Sequence, residues 1–186
     1  GFRAPGYTLS PAIIGALLGL GYAYDSSAFS SWPYYLAKAA VMAISRVIGR
    51  KSASILNPFG SLLAPVVPYR PHPDNPYTAG GAGLVEIPIS LSPLLRLPLI
   101  GTSFVLAGPL MQRLLLAGVA QSDPFNLEFH GIDFLGRDEV GEGLLHAGQP
   151  DARLSRDEKD ARIGALFDAL RDREFVTLEK LAHSRA

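Results

Sequence analysis

Apolar positions along this chain come in short bursts separated by proline, glycine and serine, and their period changes from one burst to the next. Ser10 followed by Pro11 marks a helix start, because the hydroxyl can accept from free N–H groups and proline suits the first helical position. The pattern carries that helix to about Gly19 or Gly21, after which Tyr22-Ala23-Tyr24 reads as a short strand ending at Asp25. A serine-rich loop runs from Ser26 to Trp32. Pro33 then opens a second helix through about Ile48, in which Leu36, Ala40, Val41, Ile44 and Ile48 recur at helical spacing while Lys38 and Arg46 face away.

From Gly49 to Gly83 the density of proline and glycine predicts a long connecting loop, with Pro58, Pro65, Pro68, Pro71, Pro73 and Pro76 opposing regular helix. Loops of that length are commonly functional, so a substrate-groove wall is weighed here against a packed surface excursion, and the latter is favoured. Leu84 to Ile89 reads as a strand, Pro109 to Gly118 as an apolar helix, and Phe125 to His130 as a half-buried strand with Phe125, Leu127 and Phe129 on one side. Gly136 to Pro150 is loop. Ser155-Arg156-Asp157-Glu158 is a capping box opening a helix with Ile163, Leu166, Phe167 and Leu170 on its apolar face. A strand at Phe175-Val176 and a helix from Thr177 to about His183 close the chain. The alternation of helix and strand predicts an α/β protein.

Composition narrows the partners. The chain has 186 residues, enough for one domain with a real core, and 48% of them are hydrophobic against 18% charged, with zero formal net charge. Nothing in that balance suggests an electrostatic grip on nucleic acid. The chain contains no cysteine, which excludes disulfides and thiolate chemistry. The longest uncharged stretch, Ala4 to Tyr24, is broken by Pro5, Gly6 and Pro11, so no membrane-spanning helix is expected. The histidines, His72, His130, His146 and His183, are scattered and form no pair at metal-ligand spacing.

Five phrases carry a resemblance. They are Phe2-Arg3-Ala4-Pro5; Gly21-Tyr22-Ala23-Tyr24-Asp25-Ser26-Ser27; Val85-Glu86-Ile87-Pro88 followed by Leu97-Pro98-Leu99-Ile100-Gly101; Leu127-Glu128-Phe129-His130; and Phe175-Val176-Thr177-Leu178. In that order they resemble the NodB-homology polysaccharide deacetylases, metal-dependent hydrolases that remove acyl groups from N-acylated sugars. The resemblance implies the C-terminal part of a deformed (β/α) barrel, spanning residues 1–186. It also implies a divalent metal, Zn²⁺ by family habit, held by an Asp and two His ahead of the arginine motif, together with a catalytic base Asp. None of these is in this sequence, so the chain alone is expected to be inactive. The implied substrate is an N-acylated carbohydrate, and a lipid-linked one would bring the protein to a membrane surface.

Residue by residue, the resemblance makes Arg3 the group that holds the base charged and oriented, a task suited to a planar, always-protonated guanidinium. Gly6 and Tyr7 fall where the family's loop offers a backbone N–H to the oxyanion. Asp25 is the carboxylate that pairs with the acid, against a plain reading as an Asx cap on Ser27. His130 is the general acid, since the sugar amine leaves poorly unless protonated and a neighbouring carboxylate favours a charged imidazole. Asp133 is a second candidate to orient it. Trp32, Tyr34, Tyr35, Tyr69 and Tyr77 could stack on sugar faces, although packing is the commoner fate of such rings. The reading from a different class is a non-catalytic sugar-binding or membrane-surface module that kept this framework.

Overall fold

The computed structural model describes residues 1–49, 56–142 and 150–184. The protein is mixed α/β, with small sheets and no closed barrel among the described residues. It gathers into two compact units, one formed by Gly1–Leu91 with Phe175–Ala186 and the other by Ser92–Glu174.

In the first unit the helix starts follow the sequence. Helix α1 spans Pro11–Gly19, and Ser10 Oγ accepts from Ile13 N at 3.3 Å. Helix α2 spans Trp32–Val47, with Ser31 Oγ accepting from Tyr34 N at 3.3 Å. Strand β1, Tyr24–Asp25, begins two residues later than the Tyr22–Tyr24 pattern suggests, because Tyr22 N is drawn back to the Leu17 carbonyl at the end of α1.

The Pro-rich stretch is less irregular than its composition implies. It holds a 3₁₀ turn at Phe59–Leu63 and an antiparallel hairpin of β2, Pro71–His72, with β3, Asn75–Ala79. Proline is tolerated there because the hairpin is a two-stranded sheet, in which both strands are edges. Strand β4 is only Val85–Glu86, and it pairs in parallel with β1, Tyr24 opposite Val85 and Asp25 opposite Glu86. Single bridges widen this pair on both sides, Phe2 to Asp25 and Tyr69 to Glu86. The order across the ladder is therefore Phe2, Asp25, Glu86, Tyr69. Its apolar support includes Leu9, Ile14, Leu17 and Leu84 on one side and Val85, Ile87 and Ala182 on another.

One expectation is reversed. Leu36, Ala40, Val41, Ile44 and Ile48 all point to solvent, and no residue of α2 is buried. The half-buried side holds Tyr34, whose ring lies 4.9 Å from Phe29 and 6.0 Å from Tyr7, and Lys38, whose Nζ sits 5.9 Å over the Tyr34 ring. Helical spacing defines a face but not what covers it, and here an aromatic cluster near the helix start sets the rotation. The Phe175–Val176 strand does not form either; both residues are exposed, and the chain passes directly to α6, Leu178–Ser184.

The second unit packs α3, Gly101–Leu106, and α4, Pro109–Ala120, against α5, Arg156–Leu170. The capping box is realised: Glu158 Oε2 accepts from Ser155 N at 2.9 Å, and Ser155 Oγ accepts from Glu158 N at 3.3 Å. Leu166 and Leu170 are buried with Leu99, Phe104, Leu115 and Val119, and Ile163 is buried as well, each such side chain contributing about 1.5–3 kcal/mol of transfer free energy. Phe125 to His130 is not a strand. It runs extended with Phe125, Leu127 and Phe129 packed on that core, and Gly101 N donates to the Glu128 carbonyl at 2.8 Å. The burial does not alternate, however: those three are half-buried, and Asn126, on the expected polar side, is buried.

Lys159, on the apolar side of α5 one turn before Ile163, is fully buried. Its ammonium donates to the carbonyls of Ile132 at 2.7 Å and Leu135 at 2.6 Å, fixing the 3₁₀ turn Gly131–Phe134 to the helix. Lys159→Met keeps the volume and strips both carbonyls of their donor, at a cost of about 1–3 kcal/mol for a buried group left unsatisfied. Urea unfolding should show the midpoint falling accordingly; an unchanged midpoint would mean that water serves these carbonyls equally well.

Candidate active site

Arg3 and Asp25 come together in the first unit, brought there by the bridge between Phe2 and β1. Phe2 N donates to the Tyr24 carbonyl at 3.1 Å and Ser26 N donates to the Phe2 carbonyl at 3.0 Å, which puts the next residue, Arg3, beside Ser26. The guanidinium binds Ser26 twice, Nε to the backbone carbonyl at 2.8 Å and Nη2 to Oγ at 2.7 Å. Ser26 Oγ passes its own proton to the Ile87 carbonyl at 2.8 Å. Arg3 is thus a clamp on the Asp25-Ser26-Ser27 corner, and its positive charge favours an ionised Asp25.

Asp25 is fully buried. Its Oδ1 accepts from Ser27 Oγ at 2.9 Å, and the Ser27 hydroxyl in turn accepts from Ala4 N at 2.8 Å. The Asx-cap reading thus fits in part, through the Ser27 hydroxyl rather than its backbone. Directly across the parallel pair stands Glu86, equally buried, whose Oε1 accepts from Ser27 N at 3.0 Å and Ala28 N at 2.8 Å. The two remaining oxygens, Asp25 Oδ2 and Glu86 Oε2, are buried and have no other donor. A proton held on Glu86 and donated to Asp25 satisfies both.

The electrostatics agree. Burial, then the Asp25 charge and the hydrogen bond to it, push the Glu86 carboxyl well above the usual carboxylate range. Burial also raises Asp25, opposed by hydrogen bonds from Glu86 and Ser27 and by the Arg3 charge. The pair therefore folds as one carboxylic acid and one carboxylate. Glu86 was not singled out from sequence, yet a lone acidic side chain inside Leu84-Val85-Glu86-Ile87-Pro88-Ile89 is the signal that could have found it. The same neighbourhood raises the Tyr69 phenol, first by burial and then by the Glu86 charge, and Tyr69 keeps its proton on the Pro76 carbonyl at 2.7 Å.

His130 belongs to the second unit, and its partners there are two carboxylates. Nε2 lies 3.7 Å from Glu128 Oε1 and Nδ1 lies 4.0 Å from Asp133 Oδ2, while about half of the side chain, 53%, is open to solvent. Asp133 is fully buried and tied from both sides: His130 N donates to its Oδ2 at 2.8 Å and Thr102 Oγ1 to its Oδ1 at 2.9 Å. Asp133, the second candidate to orient His130, holds the His130 backbone N–H, with the ring Nδ1 4.0 Å away. Glu128 and Gly101 were missed. Gly101 has no side chain where a Cβ would overlap the Phe129 ring and Asp133 Oδ2, which is what lets α3 start against this corner.

The other candidates separate. Tyr69 and Tyr77 are core residues, and Tyr34 packs with Tyr7 and Phe29; only Trp32 and Tyr35 among the five rings lie outside these clusters. Gly6 and Tyr7 form the end of a 3₁₀ turn at Pro5–Tyr7, both with positive φ, and Tyr7 N is used by the Ala4 carbonyl. His72 contacts Asp74 and His183 contacts the Glu179 carbonyl, while His146 lies outside the described residues. Among the described residues no three His, Cys, Asp or Glu side chains are grouped to hold a metal ion. The divalent metal implied by the resemblance would be held by residues other than these.

Two tests follow from this geometry. The folded protein holds a proton on Glu86 that the unfolded chain releases above the ordinary value near 4.5, so this group's contribution to stability is full below that pH and declines as pH rises toward the folded value. The limiting slope is about 1.4 kcal/mol per pH unit for one proton. Glu86→Gln should remove that slope in urea titrations and match or exceed the parent at pH 8; equal losses at pH 5 and pH 8 would show that no proton is shared. Gly101→Ala should cost about 1–3 kcal/mol by overpacking and move the His130 ring resonances, whereas Gly131→Ala, where an added Cβ meets open space, should do neither.

Compared with protein-family models, with curated proteins and with solved structures, the chain matches none.

Proposed function

We propose that this chain serves a hydrolase of carbon–nitrogen amide bonds that removes N-linked acyl groups from sugars of a polysaccharide or lipid-linked glycan. In this reading it folds as the C-terminal part of a deformed (β/α) barrel of the NodB-homology type. The observation that carries the reading is His130, a half-exposed imidazole flanked by Glu128 and Asp133. Breaking the C–N bond of the tetrahedral intermediate expels an amine, which must take up a proton as it leaves. A half-exposed imidazole with a carboxylate on either side is placed where a ligand could reach it and take that proton from it. The bond from His130 N to Asp133 Oδ2 fixes the residue's backbone, so the exposed ring turns on a held base.

Arg3 and Asp25 support the same reading in a different capacity. With Asp25 fully buried and Arg3 bound to Ser26, they shape and charge the corner after β1 rather than touch substrate, and both are positioning residues. Activation of the attacking water has no group assigned to it in this chain. That burial is also what favours the second reading, a carbohydrate-binding module without chemistry, because a carboxylate closed to water cannot act on a ligand.

The deciding experiment expresses residues 1–186 in frame with the coding sequence upstream of Gly1 and measures release of free amine from N-acetylated chitooligosaccharides. His130→Gln should lower kcat by about 10²–10⁴-fold with little change in KM, the usual size of a general-acid contribution. Full activity in His130→Gln removes the acid assignment, and oligosaccharide binding without amine release leaves the binding module standing.

A further inference from the structure

Helix α2 turns its apolar side outward, and this surface plays no part in the chemistry above. Leu36, Val41, Ile44, Val47 and Ile48 are between 58% and 86% exposed, and Arg46 is exposed at the edge of that face. Apolar patches of this kind mark interaction surfaces. Just ahead of the helix, Ser30 Oγ donates to the Ala64 carbonyl at 3.1 Å, which ties the Phe59–Leu63 turn to the helix start with Phe59 and Leu63 also exposed. Trp32 opens the helix and is about half exposed.

Charge decides what covers this surface. Between Asp25 and Asp74 the sequence contains no Asp or Glu, and its charged side chains there are all Lys or Arg. A second copy of the chain meets the first through the same patch in a two-fold interface, and would set Arg46 against cations with no carboxylate on the segment to offset them. An anionic surface has no such cost. Apolar side chains on one face, an exposed arginine at its margin and a Trp at its end are the features of a helix lying in the headgroup region of a bilayer. No helix among the described residues is long and apolar enough to cross a membrane, so the contact is with the surface.

We propose that the exposed face of α2, from Trp32 to Ile48, binds the surface of a membrane rich in anionic lipid. The inference stands on exposure and charge alone and is independent of the deacylation reading.

Trp32 is the chain's single tryptophan and sits at the start of the helix, so its emission reports this surface. The full chain is mixed with vesicles of equal parts phosphatidylcholine and phosphatidylglycerol, or of phosphatidylcholine alone, and followed by cosedimentation and fluorescence. Binding to the anionic vesicles, a blue shift of Trp32 and loss of both on raising salt are expected. The double variant Val41→Glu with Ile44→Glu, both at exposed positions, should weaken binding about tenfold or more at unchanged urea stability. Equal binding to both vesicle types overturns the proposal, as does no binding to either. If sedimentation velocity then shows a dimer that Ile44→Glu dissociates, a second copy is the occupant instead.

Discussion

Asp25 and Glu86 face each other across two parallel strands, both fully buried, and the first unit is arranged around keeping that pair solvated by protein. An isolated buried carboxylate is too costly to retain its charge, so it must take hydrogen bonds, a countercharge or a proton. Here all three are supplied. Ser27 gives its N–H to Glu86 and its hydroxyl proton to Asp25, Ala28 gives a second N–H, Arg3 brings the countercharge through Ser26, and Glu86 keeps a proton for Asp25. The strands themselves are two residues long, too short to define a register by ladder bonds alone. The carboxyl pair and its serines add that definition, because a slip by one residue would leave two buried acids without donors.

The sequence speaks clearly where chemistry is local. Ser10-Pro11, Ser31 before Pro33 and the Ser155 to Glu158 box each start a helix as their side chains dictate, because a cap needs nothing beyond three residues of chain. Strands were harder to place for the opposite reason. The Phe125 to Phe129 alternation picks out rings that pack on the core, yet Asn126 between them is the buried residue, and a strand needs a pairing partner that alternation cannot supply. In the Pro-rich stretch proline frequency obscured a hairpin, since an edge strand has no need of the donor that proline lacks.

The site divides along the same line. Arg3 and Asp25, twenty-two positions apart, were legible as a pair only through a resemblance of motifs, whereas their hydrogen-bonded meeting at Ser26 is a tertiary fact. Glu86 and Lys159 share a signature that periodicity discounts, a single charge on an otherwise apolar face. Each proves to be fully buried and hydrogen-bonded to backbone, Glu86 by two N–H groups and Lys159 to two carbonyls. Such a residue is best read as the polar group that the core was built to satisfy. The rotation of α2 was invisible for a different reason: the outward face is as regular as a core face, and only the cation-only composition of the segment around it hints at a partner other than protein.

Burial assigns roles among the titratable groups more firmly than residue type does. Asp25 and His130 are both residues that catalysis favours, yet one is sealed and the other half open to solvent. A sealed carboxylate contributes shape and potential, and its removal would be felt as a change in folding before any change in chemistry. The His130 imidazole, half open to solvent above the buried Asp133, is by contrast accessible from outside the fold. The same contrast runs within each pair: Asp133 is tethered by Thr102 and the His130 backbone so that His130 need not be, and Glu86 takes two N–H groups and a proton so that Asp25 can remain charged beside Arg3. In both units a buried acid is held by hydrogen bonds from its own surroundings, and its neighbour's environment follows from that.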